Sequence, residues 1–371
     1  MNLDQIVNDF SLPVWLRYCG SFFTALLITW LSIPTIVRIS NYKNLYGRLN
    51  ERSSHTDETP NLGGLAIFAG FILAVIIFTL SQAALEIKYL FGASTIIFLI
   101  GMKDDILIID PKKKLIGQML AALLIVWLGG IRITNFHHAL GIDGISALSS
   151  LVFSLFLVVL IINGYNLIDG IDGLSSGCGI IAALFFGSWF IAAGNTVYAI
   201  ISISLAGALT AFFRFNITSG RNKIFLGDTG SMLTGFVISV LTIKFLEFDL
   251  SAPGKLQIKS APSVAVAVLI VPLFDTLRVF ILRLWNGKSP FKADRQHIHH
   301  MLLRLGYSHA GAGLLLMILN LAFIALAWLM KGLGDVVTLS VLMLAAIILT
   351  SVPSLILSRT SSDKTDTQEI N

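Results

Sequence analysis

The sequence predicts an all-α integral membrane protein, a polytopic bundle of about eleven transmembrane helices with ten as the alternative count. Three observations predict it. Hydrophobic residues make up 55% of the 371 residues, and charged residues only 13%. Mean hydropathy is +0.83, far above that of a water-soluble domain of ordinary composition. The apolar residues come in continuous runs near the ~20 residues that a spanning helix needs, without the alternation a membrane β-barrel would show.

In chain order the expected spans are 18–38 with Pro34 inside, 62–82 with Gly70, the short 89–103, 114–130, the short 149–165, 174–193 with Gly187, 197–215, 230–247 with Gly235, 262–284 with Pro272, 311–331 and 335–357. Interior glycine and proline are tolerable in lipid because neighbouring helices re-satisfy the freed backbone groups. Residues 1–357 form one catalytic domain on this reading, and the polar tail 358–371 is expected to be cytoplasmic and disordered. The segment Met1 to Pro13 carries Asp4 and Asp9 and no basic residue, so no cleaved leader is expected. Cys19 and Cys178 lie in apolar segments without a CxxC, which argues against both a disulfide framework and a thiolate metal site.

Lysine and arginine set the orientation. Roughly nineteen of the 26 basic residues fall on one side if the loops after spans one, three, five, seven and nine face the cytoplasm, so the amino terminus is expected outside. The net charge of +5 then reflects topology and anionic lipid, and no nucleic-acid partner is inferred.

The same inward loops hold nearly all the chemistry-bearing residues: GMKDD (Gly101 to Asp105), NLIDGIDG (Asn166 to Gly173), FLGDTGS (Phe225 to Ser231) and ADRQHIHH (Ala293 to His300). The outward exception, FHHALGIDG with His137 and His138, reads as a surface hairpin. Any one aspartate at a helix end has a plain reading as a cap or an interfacial group. Five on one membrane face repel one another unless a cation sits among them. Aspartates and asparagines with no cysteine suit a hard, oxygen-loving ion, so Mg2+ is expected, with Mn2+ as the substitute. Zinc is the rival, but His297, His299 and His300 are spaced by two and one rather than by the four of a helical pair. A solvated basic loop is the bland alternative for that segment.

In FLGDTGSMLTGF glycines flank Asp228 just before an apolar helix, so backbone amides and the helix amino terminus are expected to face an anion. Asp169 and Asp172, spaced by three, are expected on one side of a helical turn facing a nucleotide. Adjacent Asp104 and Asp105 diverge by about 100° in a regular helix, so both serve one site only from a helix end. Arg295 and Lys292 supply positive charge for a diphosphate. The set reads as phosphoryl transfer at a membrane surface.

Together with TPNLGGLAIF, FNITSGRNK and PLFDTLRV, these motifs resemble the polyprenyl-phosphate N-acetylhexosamine-1-phosphate transferase superfamily, glycosyltransferase family 4, in order over roughly Thr59 to Gly306. The resemblance implies transfer of a sugar-1-phosphate, most naturally GlcNAc-1-phosphate, from a UDP-N-acetylhexosamine to undecaprenyl phosphate. UMP is released, and the product starts a cell-envelope glycan such as lipopolysaccharide or teichoic acid. It implies Asp228 as magnesium ligand, with Asp104 and Asp105 activating the lipid phosphate and Asp105 supporting the metal. Asn166, Asp169 and Asp172 match the nucleotide-side motif, Phe225 the residue that stacks on uracil, and Asn216 aligns at a spacing that varies among branches. Asp294, Arg295, His297, His299 and His300 resemble the signature of the GlcNAc branch, bacterial and multi-pass in the cytoplasmic membrane, rather than that of the phospho-MurNAc-pentapeptide translocases, the alternative. Superfamily members are often homodimers. One departure is that SSHTDETPNLGG lacks a lysine shortly before Thr59, leaving Arg52 upstream and His55 as a weak substitute.

Both single displacement and a covalent aspartyl intermediate stay open. A secondary transporter is the reading from another class, and it would place its acids near the bilayer midplane.

Overall fold

The computed structural model describes residues 12–43, 45, 59–79, 84–107, 109–136, 144–251, 256–285, 287 and 298–368. These residues form helices α1 (Val14–Lys43), α2 (Gly63–Phe78), α3 (Ala84–Leu107), α4 (Pro111–Leu123), α5 (Ala147–Leu167), α6 (Leu174–Ala192), α7 (Thr196–Asn216), α8 (Gly227–Ser251), α9 (Ala261–Val268), α10 (Ile270–Trp285), α11 (Ile298–Arg304), α12 (His309–Leu329) and α13 (Asp335–Gln368). A π-helical turn, Leu124–Leu128, continues α4. The all-α class is as expected, and every expected span has a helix at its place.

The count of eleven is not established. Among the described residues seven helices are long and apolar enough to cross a bilayer, and an eighth span is added if α9 and α10 are one broken crossing, bent by 83°. That bend corrects the reading of 262–284 as one straight span: Leu269 interrupts the helix two residues before Val271-Pro272, and a proline near a helix start cannot supply a ladder amide. The fifth span, expected to be short, is a full 21 residues. Helix α13 runs on to Gln368, so most of the segment expected as an irregular tail is helical here.

Helix α8 is the axle of the bundle. Its apolar window is 83% buried, and it packs against α2, α3, α5 and α6, while α1 and α7 form a second long pair beside it. By contrast only 22% of the α1 window and 28% of the α13 window are buried, so these helices present Trp15, Phe23, Leu344 and Ile348 to lipid. Gly101 shows why α3 comes so close to α8: a Cβ built there would lie 2.5 Å from the Cα of Thr229. The hairpin expected after α4 exists at its ends, where Asn135 and Gly144 form an isolated antiparallel bridge; His137 and His138 lie outside the described residues.

Candidate active site

The carboxyl ends of α3 and α5 and the amino ends of α4 and α8 meet at one end of the bundle. Gly227 makes the junction, its backbone held at φ +72 in the left-handed region that favours glycine. Beside it runs Phe225-Leu226, which pairs with the segment before α2: the Phe225 amide donates to Pro60 O at 2.8 Å, and the Gly63 and Gly64 amides donate to Phe225 O and Leu226 O at 3.0 Å.

Asp105 closes the amino end of α8. Its Oδ1 accepts from the Asp228 amide at 2.7 Å, and its Oδ2 accepts from the Thr229 amide at 3.0 Å and the Thr229 hydroxyl at 2.6 Å. Asn61 donates to the same residue's Oδ1 at 3.3 Å. This corrects two expectations. The first amides of α8 bind an internal carboxylate instead of facing a ligand anion, and the acid that joins Asp228 is Asp104 rather than Asp105. The divergence of neighbouring helix positions is the reason, since one aspartate of the pair turns into the bundle and the other along its end.

Asp104 and Asp228 share Lys114. Its Nζ lies 3.1 Å from Asp104 Oδ2, 2.8 Å from Asp228 Oδ1 and 3.2 Å from Asn166 Oδ1. Asp104 Oδ1 also accepts the Ile109 amide at 2.7 Å, which fixes the turn after α3. Asn166 donates in turn to Asp228 Oδ1 and, at 2.9 Å, to the Ser231 hydroxyl. Three separate stretches of chain thus meet on one ammonium supplied by a fourth. Among the described residues no three acidic, histidine or cysteine side chains converge as a metal cage. The donors around Lys114 nevertheless fit a hard cation, because two carboxylates and an amide oxygen present hard oxygens to a point where a positive charge already stands.

The turn after α5, residues 168–173, carries the other two acids. It is not a helical turn, so Asp169 and Asp172 do not act as a matched pair. Asp172 forms an ion pair with Lys223 Nζ at 2.7 Å, and that ammonium lies 5.5 Å from the centre of the Phe225 ring. Asp169 is half-buried, with no hydrogen bond or ion pair among the described residues. Loss of water raises its carboxyl well above the usual carboxylate range, and Asp228, Asp105 and Asp172 push the same way. Asn216 is buried and plays a bridging part: its Oδ1 accepts the Gly173 amide at 2.6 Å and its Nδ2 donates to Ile224 O at 3.0 Å. It therefore ties the Asp172 turn to the extended segment bearing Phe225.

A cavity of about 250 Å³ opens beside Lys223, lined by Asn41, Thr59, Pro60, Ser219, Arg221 and Lys223 among others. Lys114 and Lys223 are basic groups that the fold brings among these acids. In the sequence both read as ordinary inward-loop lysines. For Lys114 a signal existed: Asp110-Pro111 marks a helix start, and from it Lys114, Gly117, Gln118 and Ala121 fall on one stripe, the last three buried.

Asp294, Arg295 and His297, with Lys292, Arg52 and His55, lie outside the described residues, as does the side chain of His299. His300 lies on α11. The start of that helix is set by Asp275, buried at 2% exposure, whose Oδ1 accepts the Ile298 amide at 3.0 Å.

The model of glycosyl transferase family 4 matches residues 87–246, a stretch that includes every described acid of the site. The decaprenyl-phosphate N-acetylglucosaminephosphotransferase of Mycobacterium tuberculosis is 32% identical over 309 residues, covering 77% of this chain and 76% of the relative. Its namesake from Mycolicibacterium smegmatis is 32% identical over 315 residues, 79% and 77% of the two chains. The undecaprenyl-phosphate alpha-N-acetylglucosaminyl 1-phosphate transferase of Escherichia coli O157:H7 is 29% identical over 297 residues, 78% and 77%.

Proposed function

Because the chain belongs to glycosyl transferase family 4, we propose that it transfers N-acetylglucosamine-1-phosphate from UDP-N-acetylglucosamine to undecaprenyl phosphate, releasing UMP and leaving a lipid-linked diphosphate sugar. One observation carries this reading: Asp104, Lys114, Asn166 and Asp228 meet at helix ends, at one end of the bundle. A secondary transporter would hold such acids near the bilayer midplane instead. The reading places the enzyme in the bacterial cytoplasmic membrane with its site at the inner leaflet. A homodimer is the assembly the superfamily suggests.

Asp228, Asp104 and the amide oxygen of Asn166 are the residues that would hold Mg2+. Bound there, the ion supplies charge neutralisation for the diphosphate and for UMP as it leaves. Lys114 adds a cation to the phosphate side of the site. Lys223, held by Asp172, sets its ammonium over the Phe225 ring, and that ring is the aromatic group offered to a uracil. Asn216 holds the turn and the Phe225 segment together. Asp169 has free acceptor capacity for donor hydroxyls or for the cation.

The acids mainly position groups and hold the cation, for a chemical reason. A phosphate monoester with a second pKa near ~6 is already mostly dianionic at neutral pH, so the attacking oxygen needs no strong base. Positioning and electrostatics carry phosphoryl transfer in general.

The test is to incubate the purified protein with undecaprenyl phosphate, Mg2+ and a panel of UDP-sugars, and to weigh the lipid product. A lipid diphosphate-N-acetylglucosamine with stoichiometric UMP is expected. No lipid product from any UDP-N-acetylhexosamine would overturn the reading. Full Mg2+-dependent turnover in Asp228→Asn would overturn the assignment of the ion.

A further inference from the structure

Lys114 is a single cation held by the three oxygens best suited to a divalent ion. Its distances to Asp104 Oδ2, Asp228 Oδ1 and Asn166 Oδ1 are 3.1, 2.8 and 3.2 Å. No other lysine or arginine among the described residues forms an ion pair with either acid; Lys103, Lys112 and Lys113, its basic neighbours in sequence, are all exposed. An ammonium and a divalent ion cannot share those oxygens, because like charges a few ångströms apart repel strongly where water is scarce.

We propose that Lys114 is a built-in counter-ion that the divalent metal displaces, so that metal entry frees the ammonium, still protonated, to meet the phosphates of the incoming donor. Without metal, Lys114 keeps Asp104 and Asp228 from repelling each other and holds the ends of α3, α4 and α8 together. With metal, the same side chain becomes an unpaired cation at the edge of the site. The lysine thereby weakens binding of the metal alone and couples it to binding of phosphate, since each removes an unpaired charge that the other would leave. The inference rests on the metal assignment of the proposed function.

Mn2+ binding to the purified, nucleotide-free protein, followed by its electron paramagnetic resonance signal, tests it. The wild type, Lys114→Met, Lys114→Arg and Lys112→Met are compared, with melting temperature recorded with and without Mn2+. Lys114→Met should bind Mn2+ about tenfold more tightly than the wild type, a gain equal to one modest ion pair. It should also melt lower without metal and regain more of its stability when Mn2+ is added. Lys114→Arg, which keeps a cation among the acids, should bind no more tightly than the wild type. Lys112→Met should stay within about twofold, because exposed charges away from the acids are screened.

Equal Mn2+ affinity in the wild type and Lys114→Met would overturn the displacement while leaving the metal assignment standing. So would equal tightening in Lys112→Met, which would mean a general charge effect. Absence of Mn2+ binding in every protein, all shown folded by melting, would overturn the metal assignment and this inference with it. Should Lys114→Met fail to fold, Lys114→Gln takes its place, with a polar group bridging the acids.

Discussion

Asp105 and Thr229, 124 positions apart in the chain, are joined by two hydrogen bonds to one carboxylate oxygen, at 3.0 Å from the amide and 2.6 Å from the hydroxyl. With the Asp228 amide on the other oxygen, this is a helix cap supplied from a different helix. A charged cap at an amino terminus contributes roughly 0.5–2 kcal/mol, and here it also sets the angle at which Asp228 enters the site. Asp105→Ala should therefore lower the melting temperature in detergent and reduce turnover together. Thr229→Val, which removes only the hydroxyl, should lose less of both. If Asp105→Ala lost turnover with its melting curve unchanged, the residue would be acting on substrate and the cap would be incidental.

The same junction requires Gly101. A methyl group there would sit 2.5 Å from the Cα of Thr229 and 2.8 Å from its amide nitrogen, both backbone atoms that cannot rotate away. Overpacking of this kind costs about 1–3 kcal/mol and here must spread α3 from α8. Gly101→Ala should lower both the melting temperature and turnover. Gly332→Ala is the control, since a Cβ at that loop position meets nothing within 4 Å. Equal effects from the two substitutions would show that α3 and α8 are not in tight contact at Gly101.

Asp169 supplies a prediction in pH. Its carboxyl is held well above the usual range by loss of water and by Asp228, Asp105 and Asp172. The folded protein therefore binds this proton more firmly than the unfolded chain does. Stability from this group is complete below the unfolded value near ~3.9 and is lost as pH rises toward the folded value. In metal-free buffer Asp169→Asn, which has no proton to lose, should melt at a higher temperature than the wild type at neutral pH. The difference should shrink as pH is lowered toward about 5. A gap that widened on acidification would mean that the carboxylate is stabilised by a partner in the fold.

Much of this site was legible in the sequence, and the reasons for the rest are local. The gathering of Asp104, Asn166 and Asp228 at one end of the bundle follows from placing motifs at alternate helix ends, which apolar periodicity and lysine bias fix. Which aspartate of the Asp104-Asp105 pair faces the site was not legible. That depends on how α3 is rotated against α8, and so on side-chain packing at Gly101 and Thr229. Lys114 and Lys223 were hidden for a different reason. A lysine in an inward loop is expected on topological grounds alone, so neither residue stands out until a distant carboxylate is brought beside it, Asp228 from 114 positions away for Lys114 and Asp172 from 51 for Lys223. The break between α9 and α10 lies in an unbroken apolar run, and hydropathy carries no information about direction.

Asp275 was part of a recognised motif without a role, and the structure gives it one that can be measured. Its carboxylate is 3% exposed, accepts the Ile298 amide at 3.0 Å and lies 3.7 Å from Arg278 Nη2. Helix α11, which begins at Ile298 and carries His300, is only seven residues long, too short to persist without help from its surroundings. Removing the acceptor leaves a buried amide unsatisfied, which costs about 1–3 kcal/mol, comparable with the stability of so short an element. Asp275→Ala should therefore speed amide exchange across residues 298–304 while sparing the core of α8, whereas Asp275→Asn, which keeps an oxygen for the Ile298 amide, should stay near the wild type. If this histidine helix serves the donor, KM for the UDP-sugar should rise in Asp275→Ala more than kcat falls. Exchange in 298–304 that did not change in Asp275→Ala would mean that α11 is anchored by its packing alone.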